Sequence, residues 1–206
     1  MTILHLLREA TGAQHRRLEA LPYARAIVDE TIDRAQYQWL LQKFYGFHVP
    51  AEQHLCALAA PELEQIGLSR RLKVPLLWRD LHTLGLSTTQ LDNLPLCHAV
   101  PAYNTLPAAL GGLYVLEGAT LGGQIITRHL ERRLGLTPQV GAAFFASYGA
   151  AVGPMWKAFC AALDAYAADP HTHPTIAEAA CQTFAALTDW LLTDTVAYPE
   201  QMAATR

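Results

Sequence analysis

The sequence predicts an all-α protein, a multi-helical bundle forming one domain over residues 1–206. Three observations predict it. Apolar residues recur at helical spacing along most of the chain, whereas the alternation of a half-buried strand is scarce. Hydrophobic residues make up 51% of the chain against 16% charged, enough to fill one substantial core and too much for a disordered chain. No low-complexity tract, internal repeat or long linker interrupts the 206 residues.

Taken in order, Ile3, Leu4, Leu7, Ala10, His15 and Leu18 fall near the i, i+3, i+4 template of a first helix. Asp33 is an N-cap candidate for a second helix carrying Trp39, Leu40, Phe44 and Phe47. Pro50 should kink or end that helix before the pattern resumes through Leu55 and Leu58. Residues 69–84 form a basic amphipathic segment interrupted by Pro75, and residues 94–107 are Pro-rich and loop-like. A long helix should then start near Pro107 and run to about Leu134, stopping before Gly135. Three further helices are expected at Pro138–Gly149, Pro154–Ala167 and Pro174–Val196, with His171-Thr172-His173-Pro174 in the loop before the last.

Composition also excludes. Lys plus Arg number 15 and Asp plus Glu 18, a net charge of −3, which argues against nucleic acid as a partner. Cys56, Cys97, Cys160 and Cys181 stand alone, so neither a zinc site nor a disulfide framework is signalled and reduced, buried thiols are expected. Arg8 and Glu9 cut short the apolar start before a signal-peptide core can form. The two long uncharged stretches, 93–116 and 134–156, are broken by prolines and glycines and do not read as membrane spans. The expectation is a soluble, cytoplasmic protein with no membrane partner.

Two segments carry chemistry. His15 falls in line with the buried face of the first helix, with Arg8 two turns earlier, a rise of about 10.5 Å, and Glu19 one turn later. One reading is a satisfied boundary histidine. The other is a metal ligand whose second ring nitrogen is held by the Glu19 carboxylate, with a cation placed to meet an anionic ligand edge. The second segment, Tyr114-Val115-Leu116-Glu117-Gly118-Ala119-Thr120-Leu121-Gly122-Gly123-Gln124-Ile125-Ile126, sets three glycines in an apolar helical pattern. Each costs on the order of 1 kcal/mol relative to alanine. Either a close helix crossing or a flat ligand lying on bare backbone would offset that.

Together these segments resemble the heme oxygenases, most closely the soluble bacterial, biliverdin-producing branch associated with bacterial phytochromes. Leu7-Arg8-Glu9-Ala10-Thr11-Gly12-Ala13-Gln14-His15-Arg16-Arg17-Leu18-Glu19 is similar to that family's proximal helix and the glycine segment to its distal helix. Ala177-Glu178-Ala179-Ala180-Cys181-Gln182-Thr183-Phe184 is similar to a late helix that packs over the heme. The resemblance implies heme b held between the first helix and the glycine helix, as cofactor and substrate at once, with its iron bound by His15 and that histidine steadied by Glu19. It implies Arg8 and Tyr114 at the propionates, Thr11 and Ala119 as heme contacts within the two motifs, and Phe184 as an aromatic wall. Gly118, Gly122 and Gly123 would lie against the macrocycle, with His15, Gly118 and Gly122 central to catalysis. The implied reaction is oxidative opening at the α-meso position by O2 and external electrons, giving biliverdin, carbon monoxide and ferrous iron.

One position departs from the mammalian branch, which has an aspartate after the first distal glycine to organise water. Ala119 stands there in this chain, as a non-acidic residue does in the bacterial relatives. Protons must then pass by backbone carbonyls, Thr120 or a side chain such as His48. Lys157 is a further candidate for a propionate contact. No dinucleotide or flavin motif is present, so electrons come from an external donor. Two basic clusters, one of Arg70, Arg71, Lys73 and Arg79 and one of Arg128, Arg132 and Arg133, are either solvated faces or docking sites for an acidic ferredoxin-type protein. A phytochrome is the implied acceptor of biliverdin. The alternative function is a heme carrier or sensor that binds without turnover.

Overall fold

The computed structural model describes residues 2–193, which include no β-strand. Helix α1 spans Ile3–Glu19, opened by the Thr2 hydroxyl accepting from the His5 N–H, and it buries Ile3, Leu7 and Thr11. A short α2, Pro22–Val28, starts on a proline in its first turn. Helix α3, Arg34–Ala57, begins where the sequence places it, with Asp33 and Gln36 forming a reciprocal capping box.

Helix α3 does not end at Pro50 but runs through it. Proline at that position removes the N–H that would serve the Gly46 carbonyl. The Cys97 N–H reaches across from the 93–105 connection and donates to that same carbonyl at 2.9 Å. Gly46 permits the approach, because a Cβ there would stand 2.4 Å from the Pro95 carbonyl oxygen. A tertiary contact therefore replaces the lost helical bond.

After α4, Pro61–Gln65, and a 3-10 turn at Leu68–Arg70 comes α5, Val74–Thr83. Pro75 starts α5 rather than interrupting it. The small α6, Thr88–Asp92, carries its own Ser87–Gln90 capping box. The expected single helix from 107 to 134 is three pieces: α7, Leu106–Gly118; a 3-10 turn, Ala119–Gly122; and α8, Gly123–Leu134, ended by Gly135 at φ 67°.

The expected helix over 138–149 shrinks to α9, Ala143–Ala146. Positive φ at Gly141, Ser147 and Gly149 prevents a longer run. Distant partners fix the segment instead: the Tyr37 hydroxyl donates to the Gly141 carbonyl, and the Asp80 carboxylate accepts from the Ala143 and Phe144 N–H groups. Helix α10 covers Val152–Tyr166 and α11 covers His173–Leu192; residues 170–172 form a 3-10 turn, so His173 opens α11 rather than lying in a loop. The expected extension to Val196 falls outside the described residues.

Helix α11 packs along α7 and α1. The α7–α11 crossing is close, since a Cβ at Gly111 would meet the Ile176 carbonyl oxygen at 2.2 Å, while one at Gly112 would meet the Tyr103 ring of the 93–105 connection at 2.5 Å. These glycines set the depth at which α7 sits, and so where its C-terminal bend emerges beside α1. Of the four cysteines only Cys97 is buried; Cys56 is exposed, and Cys160 and Cys181 are half-buried, so burial as a general expectation fails.

Candidate active site

A cavity of about 230 Å³ lies where α1, α3, the α7–α8 bend, α9, α10 and α11 converge. Arg8 and His15 reach it from α1, Tyr114, Gly118 and Ala119 from α7 and the bend, and Phe184 from α11. The His15 ring meets Phe184 edge to face with centroids 5.9 Å apart, and its Nδ1 lies 3.3 Å from Glu19 Oε2. That leaves Nε2 as the uncommitted nitrogen. Both His15 and Glu19 are more than half exposed, so the pair gains little stability from its charge.

Tyr114 sits against Trp156, ring centroids 5.8 Å apart. Burial pushes its phenol above the ordinary value, partly countered by the Thr11 hydroxyl and the Arg8 charge beside it. Thr11 itself is buried and donates to the Leu7 carbonyl. It braces Tyr114 from behind and is not a wall of the cavity. Arg8 and Tyr114 thus bring a cation and a hydroxyl to one cavity.

The glycines of the second segment separate into two kinds. At Gly123 a Cβ would lie 2.0 Å from the Phe145 carbonyl oxygen, so α8 crosses α9 through bare backbone. This glycine serves packing and is not among the residues lining the cavity. Gly118 and Gly122 have helical φ values of −59° and −76°, and nothing in the protein crowds them: a Cβ at Gly118 would make ordinary contact with Trp156 at 3.8 Å, and one at Gly122 would meet nothing within 4 Å. Gly118 lines the cavity; Gly122 is exposed and stands outside the lining. Neither backbone conformation nor packing explains the absence of a side chain at Gly118. That absence leaves a stretch of cavity wall without a side chain. A cavity bordered by a histidine, a cation, a phenol and a wall without Cβ fits heme.

The sequence did not single out Phe44, Phe144, Phe145 or Trp156, which complete the aromatic walls. His48 does border the cavity; it is buried, with Nδ1 3.4 Å from Glu52 Oε1. Glu52 also accepts from the Lys73 and Val74 N–H groups at the start of α5. Thr120 is turned inward, donating to the Glu117 carbonyl at 2.7 Å. Lys157 is exposed and away from the cavity.

The first basic cluster is not a surface. Arg71 and Lys73 are buried and paired with Glu117, leaving only Arg70 and Arg79 exposed. Of the second cluster, Arg132 pairs with Glu30, while Arg128 and Arg133 are exposed.

Among solved structures, heme oxygenase from Leptospira interrogans superposes with a TM-score of 0.75 at 20% identity, covering 92% of this chain and 98% of that one. Heme oxygenase-1 of the cyanobacterium Synechocystis, solved in complex with heme, gives 0.74 at 20% identity over 92% of this chain and 90% of that one. The NO- and CO-bound heme oxygenase of Neisseria meningitidis gives 0.71 at 21% identity over 98% of both. These likenesses show the fold. No curated protein sequence matches significantly. The heme oxygenase family model matches residues 1–193. On that match across nearly the whole chain, the protein belongs to the heme oxygenase family, oxidoreductases that degrade heme to biliverdin.

Proposed function

We propose that the chain acts as one domain that holds heme b between α1 and the α7–α8 bend and opens it at the α-meso position. The observation that carries this reading is Gly118: a cavity wall without a side chain, in a helical conformation and with room for one, bordering the same cavity as His15. Heme supplies the iron at which oxygen is reduced and the ring carbon that is oxidised.

The protein's residues do the rest. His15, its Nδ1 turned to Glu19, offers Nε2 to the iron as a neutral imidazole donor. Such a ligand would lack the electron push with which a thiolate promotes O–O cleavage at the iron. Arg8 and Tyr114 bind propionates, and Phe184 holds the His15 ring at its angle. Gly118 and Ala119 admit the macrocycle against backbone. With Ala119 where an acid could stand, His48 takes over proton delivery: Glu52 holds its Nδ1, leaving Nε2 as the free ring nitrogen at the cavity wall.

Electrons come from an acidic ferredoxin-type donor, for which Arg128 and Arg133 on α8 offer exposed positive charge. No helix among the described residues is long and apolar enough to cross a membrane; we assign the reaction to the cytoplasm and its biliverdin to a phytochrome. The test supplies heme, reductant and oxygen to the protein and to His15→Ala. Biliverdin absorbance should grow only in the parent, and chromatography should show one isomer. A parent that binds heme stably without opening it would mark a carrier instead.

A further inference from the structure

A charged residue in the middle of an apolar helix has to be paired, and Glu117, the residue before Gly118, is 1% exposed. Its carboxylate is held by three donors from two other parts of the chain. Arg71 bonds Oε2, while Tyr148 OH donates to Oε1 at 2.7 Å and Lys73 Nζ lies 3.3 Å from the same oxygen. Lys73 is saturated, and Arg71 commits four of its five N–H groups. Lys73 spends its three N–H bonds on the Arg71 carbonyl, Glu117 and the Tyr148 hydroxyl, and Arg71 also donates to the Ile66 and Met155 carbonyls. The cluster ties the end of α7 to the start of α5 and to the α9–α10 connection, and its Lys73 also borders the cavity.

A second observation lies next to it. Ser147, between the Phe144–Phe145 wall and Tyr148, has φ 48° and ψ −112°, and its hydroxyl is buried without a hydrogen-bond partner. A non-glycine residue in that region is strained, and the strain persists only where surroundings over-determine it. The bonds of Tyr148 to Lys73 and Glu117 are such a constraint. Burial lowers the Lys73 ammonium from its ordinary value, opposed by the Glu117 carboxylate, and burial together with that carboxylate raises the Tyr148 phenol.

We infer that Glu117, clamped by Arg71, Lys73 and Tyr148, is a positioning residue that fixes where the Gly118–Ala119 bend stands in the cavity and thereby which edge of the bound ring is presented for attack. This rests on the bend being the heme wall. The cluster reaches the bend by covalent continuity: the Glu117 carbonyl accepts the Thr120 hydroxyl, so the residue whose side chain is pinned also anchors the 3-10 turn. Glutamine in its place keeps size but offers one acceptor oxygen where the carboxylate offers two, and it leaves two buried cations without a counter-charge.

The experiment compares the parent, Glu117→Gln and Tyr148→Phe with Tyr103→Phe, which breaks a buried hydrogen bond to Thr183 outside the cluster. Each is titrated with heme, its ferric electron paramagnetic spectrum is recorded, and its biliverdin isomers are separated. Glu117→Gln should bind heme within about threefold of the parent, show a changed ferric spectrum, and spread its product over more than one isomer. Tyr148→Phe should move both readouts in the same direction by less, and decides the matter alone if Glu117→Gln does not fold. Tyr103→Phe should lose thermal stability and move neither. The inference is overturned if the parent binds heme while Glu117→Gln and Tyr148→Phe keep its spectrum and isomer distribution. A parent without a Soret band would instead bring down the assignment of the cavity, and the inference with it.

Discussion

Gly123 lies so close to Phe145 that a Cβ built on it would stand 2.0 Å from the Phe145 carbonyl oxygen. Five residues earlier Gly118, in the same helical conformation, would place its Cβ at an unforced 3.8 Å from Trp156. One glycine is required by packing; the other is not, and on the proposed function it is required only by what the cavity holds. Substitution should separate them. Gly123→Ala must move backbone and should destabilise by about 3 kcal/mol. Gly118→Ala removes a poor helix former and should leave stability unchanged or raise it by up to about 1 kcal/mol, yet weaken heme binding. Denaturant unfolding beside a Soret titration reads both. A Gly118→Ala protein with parental heme affinity would return that glycine to the status of an accident.

His15 offers a second comparison. Removing its imidazole should abolish the parental Soret spectrum while thermal unfolding stays close to parental, because the ring is more than half exposed and contributes little to the core. Glu19→Gln should act only through the ring it holds. Outer-shell partners of metal ligands are typically worth about 10–100-fold in affinity or activity, and the exposure of Glu19 points to the lower end. Equal heme affinity in Glu19→Gln and the parent would show that the ring is oriented by Phe184 alone.

The parts of this fold that could be read in the chain were those in which local chemistry and tertiary outcome agree. The Asp33 start of α3 is one, since Asp and Gln three apart satisfy each other's backbone donors whatever lies outside. The Gly135 stop of α8 is another. Pro50 misleads because the bond that rescues the Gly46 carbonyl comes from Cys97, which no local window contains. Residues 138–149 mislead for the same reason: Asp80 and Tyr37 supply the bonds that a longer helix would have made internally.

The candidate site divides likewise. His15, Glu19 and Arg8 share a helical register that spacing makes visible, whereas Tyr114 enters only through the resemblance to the heme oxygenases. Glu117 carried a readable signal, a carboxylate inside an apolar run, but its partners Arg71 and Lys73 look in sequence like members of a solvated basic face. Only the fold shows that they turn inward.

Proton delivery through His48 gives a third expectation. His48→Phe keeps an aromatic ring against Phe144, whose centroid lies 5.4 Å away, and removes the two nitrogens. Heme should bind as before, and ring opening should slow by on the order of 10²-fold, the range for loss of a positioned proton donor. His48→Gln, which restores one donor, should recover part of the rate. Single-turnover decay of the Soret band under reductant and oxygen measures it. Identical decay in parent and His48→Phe would mean that backbone-held water suffices.

The last expectation concerns the wall itself. Asp80 is fully buried under α9, where burial pushes its carboxyl above the ordinary value, opposed by the bonds from the Phe144 and Ala143 N–H groups. The folded protein therefore gives up this proton at higher pH than the unfolded chain does. Between the two values the folded state holds more protons, so stability from this group falls as pH rises through that window and is largest below the unfolded value of about 3.9. Asp80→Asn has no such titration. The stability of the parent minus that of Asp80→Asn, measured by denaturant unfolding from acid toward neutral pH, should decline as pH rises and then level off. A difference that grew with pH would mean that the backbone bonds outweigh burial and that the Phe144–Phe145 wall is held by a carboxylate favoured in its charged form.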